Sequence, residues 1–294
     1  MTLRDFIGVL SGADNDRPLP KGLSGVACDD FQVVLAGKPR AQLLRASRKR
    51  LLRAASNRQQ VLEHLMLYGT VLPALPGMAL KPDEAEDFVA ANRAILDPLR
   101  KRLAGAVQFQ VTVGWNKVEA ASRFNATQPQ ALADDWCARF ATILDAVAIE
   151  QIRLPATHEV SFNAVVRIMA QDEPRLDTAV SQIDALWPDG LRVRQIGPSP
   201  AVSFGSLGVR RVSPAQVRAA RAVLGIDGAV AEAEVDQARH SALKTARSAD
   251  WAMIKKAADV LGACARAGGQ RPPPLAYVWE EGRAEVAKDL EKVA

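Results

Sequence analysis

Cysteine and histidine are scarce in this chain of 294 residues, which contains three of each. Cys28, Cys137 and Cys264 are far apart and form neither a CxxC pair nor a Cys/His ligand spacing. The histidines lie in three separate segments without an HExxH pattern, so a zinc site, which needs several closely held ligands, is not predicted. Few and unpaired cysteines are typical of a reduced, cytosolic protein. The sequence therefore predicts no metal and a cytoplasmic location.

Motifs for nucleotide binding and nucleophilic catalysis are also absent. The chain has no GxSxG, no GxxxxGK[ST] and no GxGxxG pattern. The run Gly205–Gly208 (GSLG) lacks the lysine of a phosphate-binding loop, so an interdomain loop is the favoured interpretation. The adjacent acids Asp134 and Asp135 do not face each other on a helix and form no acid/base pair. We therefore predict no enzymatic activity and no cofactor.

Long apolar runs and aromatic residues are rare as well. No stretch approaches the ~18 apolar residues of a membrane helix, and the apolar run at the N-terminus is too short for a signal peptide. Aromatic residues make up 5% of the chain and hydrophobic residues 48%, so the core is expected to be mainly aliphatic. These values predict a soluble globular protein without a membrane partner.

Positive charge is present and is concentrated in one segment. The net charge is +5, and residues 38–58 contain eight arginines and lysines without any acid. Arg45, Arg48, Lys49 and Arg53 are the candidate partner-binding residues of this run, because a helix brings Arg45, Lys49 and Arg53 onto one face. A solvated polar face is the simpler interpretation. A nucleic-acid interface is the alternative, although no aromatic side chain is interleaved to stack on bases.

Periodicity predicts an α+β domain over residues 1–116. Strands are expected at Leu3–Leu10 and Phe31–Leu35, with a loop at residues 11–25. A helix is expected from Ala41 to Tyr68 with an apolar stripe that includes Ala55 and Leu62. Further along, alternating valines and Phe109 predict a strand with one buried face, which would close this domain.

The rest of the chain is predicted to form three further segments. Residues 117–212 form a second α+β domain, with a joint at Asn125–Pro129 and a helix at Gln130–Gln151. Residues 213–267 lack strand signals and are predicted to be a helical addition that the first two domains do not need to fold. Residues 268–294 form a proline-rich linker and a charged tail.

Four short motifs in a fixed order carry a family resemblance. The first is Phe6-Ile7-Gly8-Val9, an aromatic-x-Gly-aliphatic strand. The others are a Gly-to-Gly turn over residues 69–77, the strand that starts at Gly105, and a Gly-Pro-x-Pro segment that ends at Phe204. Their defining residues are Gly69, Pro73, Pro76, Gly77, Gly105, Gly197, Pro198, Pro200 and Phe204. In this order the motifs, over residues 3–205, resemble the accessory gas vesicle proteins of the F/L type (GvpF/GvpL).

This resemblance implies both a fold and a role. It implies an α+β fold of two ferredoxin-like α/β sandwich domains, here followed by a helical C-terminal region. It also implies a non-enzymatic structural role in gas vesicle assembly. The implied partners are the small hydrophobic shell protein and other gas vesicle accessory proteins, and the implied location is the cytoplasm and the gas vesicle. Leu75 and Gln108 stand where the family has an arginine and a glutamate.

Residues 213–267 separately resemble a degenerate J-domain. Leu224-Gly225 resembles its opening turn, but Ala246–Asp250 stands where the His-Pro-Asp signature would follow. Stimulation of an Hsp70 ATPase is therefore not expected, and a plain helical hairpin is an equal alternative.

Overall fold

The structure, a computed structural model, describes residues 2–12, 17–37, 47–125, 127–157, 160–227, 231–266 and 273–281, without the side chains of Arg48 and Leu51. In chain order its elements are β1 Arg4–Ser11, β2 Ser24–Cys28, β3 Phe31–Leu35, α1 Arg48–Leu65, β4 Thr70–Pro73, β5 Ala79–Leu80, α2 Ala85–Leu103, β6 Ala106–Gly114, α3 Lys117–Arg123, α4 Pro129–Asp145, β7 Glu150–Arg153, β8 Phe162–Met169, α5 Glu173–Asp184, β9 Arg192–Ser199, β10 Ser206–Arg210, α6 Pro214–Leu224, α7 Glu232–Thr245, α8 Trp251–Arg266 and β11 Leu275–Trp279.

The chain divides into two compact units. Unit 1 comprises Met1–Lys101 and Ser206–Val278, and unit 2 comprises Arg102–Gly205 and Trp279–Ala294. Helices and antiparallel sheets occur in both, so the predicted α+β class is confirmed. The boundary expected at residue 116 differs from this division, because β6 pairs with β8 and β9 in the sheet of unit 2.

Unit 1 contains an antiparallel sheet in the order β2-β3-β1-β4, with β5 paired to β1. All five residues of β3 are buried, including the polar Gln32. The strand β2 lies in the segment predicted to be a loop, so that prediction is wrong at its end. Its Ser-Gly-Val-Ala-Cys sequence has little strand preference of its own, and its pairing with β3 supplies the missing stabilisation.

Unit 2 has the β-α-β-β-α-β order of a ferredoxin-like fold, with the sheet order β7-β8-β6-β9. In β6 the valines and Phe109 that alternate with polar residues are buried, so the predicted one-sided strand is confirmed. The helix α4 buries Trp136, Phe140 and Leu144 on one side. It ends at Asp145, earlier than predicted, because residues 150–153 pair with β8 instead.

The helical segment of unit 1 has a core of its own. Ser213 caps α6 by accepting a hydrogen bond from the Gln216 amide at 3.2 Å, as its Ser-Pro start predicts. Most buried residues of this cluster come from α6, α7 and α8, and Ala91 of α2 also belongs to it. The buried Asn92 side chain accepts from the Ala276 amide at 2.8 Å and donates to the Pro274 carbonyl at 2.9 Å. These two bonds link α2 to the region of β11, and α8 is linked to α2 by Arg266, which donates to the Ala91 carbonyl at 3.2 Å.

A chain that ends at Val212 is expected to keep cooperative unfolding, because the core of the helical segment is mainly its own. Unit 1 should lose about 1–3 kcal/mol of unfolding free energy, since β10 loses its partner strand β11 and Asn92 loses two hydrogen bonds. Urea unfolding followed by near-UV circular dichroism measures this, with a chain ending at Glu281 as the matched control. An insoluble or molten product from the shorter chain alone would show that the segment is part of the essential core.

A bidentate ion pair connects Arg211, just before α6, to Glu84, just before α2. Two guanidinium nitrogens of Arg211 donate to the two carboxylate oxygens of Glu84, each at 2.9 Å. Burial opposes ionisation of this carboxyl, but hydrogen bonds from Arg211 and Lys81 outweigh it and lower the pKa of Glu84 to about 2. Such a pair is stronger than a single-contact surface ion pair.

The pKa of Glu84 predicts a pH-dependent contribution to stability. A carboxyl with a lowered pKa stabilises the folded state above its unfolded pKa of 4.5, and this contribution disappears as the pH falls towards 2. Glu84→Gln is therefore expected to cost about 1–2 kcal/mol at pH 7 and progressively less between pH 5 and about 2. Urea unfolding at several pH values tests this, with the exposed Glu86→Gln as control. A cost that does not change with pH would contradict the prediction.

Candidate partner-binding surfaces

The predicted basic surface lies on the first half of α1. Arg45 lies outside the described residues, as does the side chain of Arg48. Lys49 and Arg53 are exposed, and no ion pair among the described residues includes them. Leu52 beside them is 62% exposed. The first turns of α1 therefore present cations and one apolar side chain to solvent.

The second half of α1 anchors the helix to the sheet of unit 1. Leu62 and Leu65 are buried, as the predicted apolar stripe requires. Ala55, which the prediction places on the same stripe, is exposed, so this part of the prediction is wrong. Among the described residues of α1, burial is confined to its last turns, and the helix contacts β1 and β4 of the sheet.

Arg58 belongs to the same basic run but points inward. Its guanidinium donates to the carbonyl oxygens of Phe6 at 2.9 Å and Ala74 at 2.7 Å, and it lies 3.6 Å from the carboxylate of Asp5. Burial lowers the pKa of the Arg58 guanidinium, and the Asp5 carboxylate opposes that shift. Arg58 is therefore a structural cation and is not available to a partner. Sequence spacing alone does not distinguish it from its exposed neighbours.

Unit 2 concentrates the few aromatic residues of the chain. Trp136 lies within 6.3 Å, centroid to centroid, of four other rings. These rings come from separate segments, and the continuous set of ring contacts comprises Trp115, Phe124, Trp136, Phe140, Phe162 and Trp187. Edge-on pairs such as Phe124 with Trp187, at 5.7 Å and 90°, are a favourable arrangement.

One end of this aromatic set reaches the surface beside α3. Val118 is 74% exposed and Phe124 is 42% exposed, while Trp187 is half-buried. We call Val118, Phe124 and Trp187 the aromatic patch. It borders an open concavity of about 780 Å³ that is lined by Trp187 and Val118 together with the polar residues Asn116, Glu119, Ser122 and Arg123. Adjacent exposed apolar side chains with a polar rim are typical of a protein-binding site.

The motif residues have structural positions. Gly69 precedes β4, Pro73 ends it, Pro76 and Gly77 form the following turn, Gly105 precedes β6, Gly197 and Pro198 lie in β9 with a cis peptide bond between them, and Pro200 and the buried Phe204 follow it. A Cβ atom on Gly197 would lie 2.6 Å from the Phe109 ring and 2.8 Å from the Gln108 carbonyl oxygen. This close approach requires glycine there and explains why Gly-Pro begins the motif.

Within the described residues, no three His, Cys, Asp or Glu side chains are grouped closely enough to hold a metal ion. Burial, followed by the charges of Glu86 and Asp29, raises the pKa of the Cys28 thiol to about 11, so it stays protonated at neutral pH. Burial also raises the pKa of Cys264. In the same described part, none of the helices has the length and apolar character needed to span a bilayer.

Gln108, which stands where the resemblance expects a glutamate, is buried in unit 2. Its side-chain oxygen accepts a hydrogen bond from the Ser203 amide at 3.0 Å. The neutral amide therefore fulfils one acceptor function of a carboxylate without leaving a buried charge.

Comparison with known proteins adds a family match over part of the chain. Residues 17–135 match the sequence profile of a family described as "Gas vesicle synthesis protein GvpL/GvpF". The resemblance to the GvpF/GvpL family is confirmed. None of the curated protein sequences compared with this chain matches it.

Two crystal structures of gas vesicle protein GvpF share the fold. The protein from Microcystis aeruginosa matches with a TM-score of 0.54 and 20% identity, over 68% of this chain and 96% of that chain. The protein from Anabaena sp. PCC7120 matches with a TM-score of 0.51 and 22% identity, over 68% of this chain and 93% of that chain. Each GvpF chain is matched almost completely, while about a third of the present chain lies beyond each match.

Proposed function

We propose that this protein is a non-enzymatic accessory protein of gas vesicle assembly, which binds the small hydrophobic shell protein and supports nucleation or growth of the shell. The GvpF/GvpL family match is the observation that carries this proposal. The shared fold of the two GvpF structures agrees with it. Other gas vesicle accessory proteins are further proposed partners, and the proposed location is the cytoplasm and the gas vesicle.

The aromatic patch is the proposed contact with the shell protein. A shell subunit that is hydrophobic must have its apolar surface covered until it is incorporated, and an exposed apolar patch on the accessory protein provides such a cover. Aromatic side chains bury large areas with little loss of conformational freedom, and they dominate binding energies at interfaces. Phe124 is held by the rings of Trp136 at 5.2 Å and Trp187 at 5.7 Å, so its side chain needs little reorganisation on binding.

The proposal is tested in a gas-vesicle-forming host that carries a deletion of the gene and no paralogue. We expect fewer or smaller vesicles, with rescue by the wild-type gene. Val118→Glu should rescue poorly, whereas Leu67→Glu, which changes a side chain that is 65% exposed in unit 1, should rescue fully. Val118→Glu should weaken binding of the purified shell subunit at least about tenfold, and Leu67→Glu should not weaken it. Normal vesicles in the deletion strain would refute the proposal.

Nucleic-acid binding is the second candidate, and exposed Lys49 and Arg53 on α1 are the observation that favours it. Binding of mixed-sequence DNA or RNA tighter than about micromolar at physiological salt exceeds ordinary non-specific binding and would favour this alternative. The neighbouring exposed apolar side chain is Leu52, which offers no ring for base stacking. We therefore expect only weak, salt-sensitive binding.

A further inference from the structure

The edge strand β9 of unit 2 presents an exposed stripe on the face of the sheet opposite its helices. In the pairing of β9 with β6, Arg194 lies opposite Thr112 and Ile196 lies opposite Gln110. Residues paired in this way, and residues two apart on one strand, point to the same face. Arg192, Arg194 and Ile196 therefore form one row, which we call the β9 stripe.

The helices of unit 2 cover the other face. Gln195, between two stripe residues, donates to the carboxylate of Asp177 in α5 at 2.9 Å. Phe140 of α4 packs edge-on against Phe162 of β8, with ring centroids 5.4 Å apart, and Phe162 pairs with Val113 on the side away from the stripe. The β9 stripe thus lies on the face that these helices leave uncovered.

The arginines of the β9 stripe lack a counter-charge within the part of the chain that the structure describes. Arg192 and Arg194 are both exposed, and none of the ion pairs among the described residues includes either of them. Ile196, the third member, is 53% exposed. An exposed row of two unpaired cations and one apolar side chain offers complementarity to a partner with carboxylates and one apolar group in the same order.

The backbone of β9 adds a second means of recognition. β9 is an outer strand of its sheet and is eight residues long, whereas β7 at the opposite edge has four. An outer strand has backbone N–H and C=O groups that can pair with an added strand. Pro198 has no N–H, so such pairing would extend from Arg192 only to about Ile196.

We propose that the β9 stripe docks an extended segment of a partner protein that carries carboxylates at two alternate positions and an apolar residue at the next. A strand added beside β9 places alternate side chains on the face of the stripe, about 5 Å from their cross-strand neighbours. Carboxylates there reach Arg192 and Arg194, and an apolar side chain covers Ile196. This surface shares no residue with the aromatic patch, and the inference does not depend on the proposed function.

Two other occupants are less favoured by the same residues. A second copy of this chain pairing through β9 in antiparallel fashion about Val193 would place Arg192 opposite Arg194, and like charges directly opposite each other are destabilising. Single-stranded RNA needs aromatic rings for base stacking on a sheet face of this kind. The residues beside the stripe are Gln110, Thr112 and Asn163, and none has a ring.

The test uses the full chain and a fluorescent ten-residue peptide that carries two glutamates and then a valine at successive alternate positions, with threonine at the other positions. Fluorescence anisotropy should show binding that weakens as salt increases. Arg192→Glu/Arg194→Glu should weaken binding at least about tenfold, because two favourable cross-strand pairs become repulsive. Arg139→Glu, which reverses an exposed arginine on α4, should leave affinity within about twofold, and circular dichroism verifies that each variant is folded.

Backbone pairing is tested with a peptide N-methylated at alternate residues, which keeps its charge but loses hydrogen-bond donors. It should bind at least about tenfold more weakly, whereas a purely electrostatic contact would leave its affinity unchanged and overturn the proposed strand docking. Equal binding of a peptide with lysine in place of glutamate, or no binding of the glutamate peptide, would also overturn the proposal. Tighter binding of oligouridine RNA, abolished by the same double variant, would assign the stripe to nucleic acid instead.

Discussion

Replacing Arg58 by methionine is expected to lower the unfolding free energy of unit 1 by about 2–4 kcal/mol. The change keeps the apolar stem but removes the donor to the Phe6 and Ala74 carbonyls, and it also removes the cation next to Asp5. Each buried acceptor that loses its partner costs about 1–3 kcal/mol. Removing one member of a partly buried ion pair adds to this cost.

Arg53→Met is the matched control, because Arg53 lies on the same helix and is exposed. A surface substitution of this kind should change stability by less than about 0.5 kcal/mol. Amide hydrogen exchange of β1 and β4 measures the stability of unit 1 separately from that of unit 2. If the amides of β1 and β4 are equally protected from exchange in both variants, Arg58 is another solvated cation of the basic run.

Arg58 also illustrates what local sequence patterns leave undetermined. Spacing on a helix predicts which residues share a face. The apolar spacing of α1 continues into its exposed first half, although apolar side chains are buried only in its second half. An arginine side chain can point into the protein or into solvent, since its stem is apolar and its head is charged. The difference depends on the carbonyl oxygens of Phe6 and Ala74, which lie 52 and 16 positions from Arg58 in the chain.

The strands show the same distinction between local and non-local information. Alternation in β6 correctly predicts a strand with one buried face, because that signal is contained in consecutive residues. The position of β6 in a sheet is not contained in these residues, since β6 pairs with strands about fifty or more residues later in the chain. The order of elements along the sequence therefore predicts a strand that closes the first domain, while the pairing makes it a central strand of unit 2.

The candidate surfaces depend even more on tertiary structure. Trp136 and Phe140 share a predicted helix face, and that much follows from periodicity. The aromatic patch also needs Phe124 and Trp187, which lie 63 positions apart in the sequence and meet at 5.7 Å. The available local signal is the concentration of aromatic residues between 109 and 140 in a chain that has few of them.

Gly8 illustrates a family motif with a direct steric cause. It lies in β1 where the pairing with β3 shifts register, and it is paired with Pro73 of β4. A Cβ atom on Gly8 would be 2.5 Å from the Leu72 carbonyl oxygen. This distance is well inside van der Waals contact, and the obstacle is backbone, so β1 and β4 would have to separate.

Gly8→Ala is therefore expected to destabilise unit 1 by about 3 kcal/mol or more, at the upper end of the cost of overpacking a core. Gly12→Ala is the matched control. Gly12 has a φ of +69°, but no atom of the described residues lies within 4 Å of the position that an alanine methyl group would occupy there. Only the backbone strain of that variant, about 1 kcal/mol, should therefore be measured. Urea unfolding with hydrogen exchange of β1 and β4 compares the two. Equal, small losses in both variants would mean that β4 moves aside at little cost, and the glycine of this motif would then need another explanation.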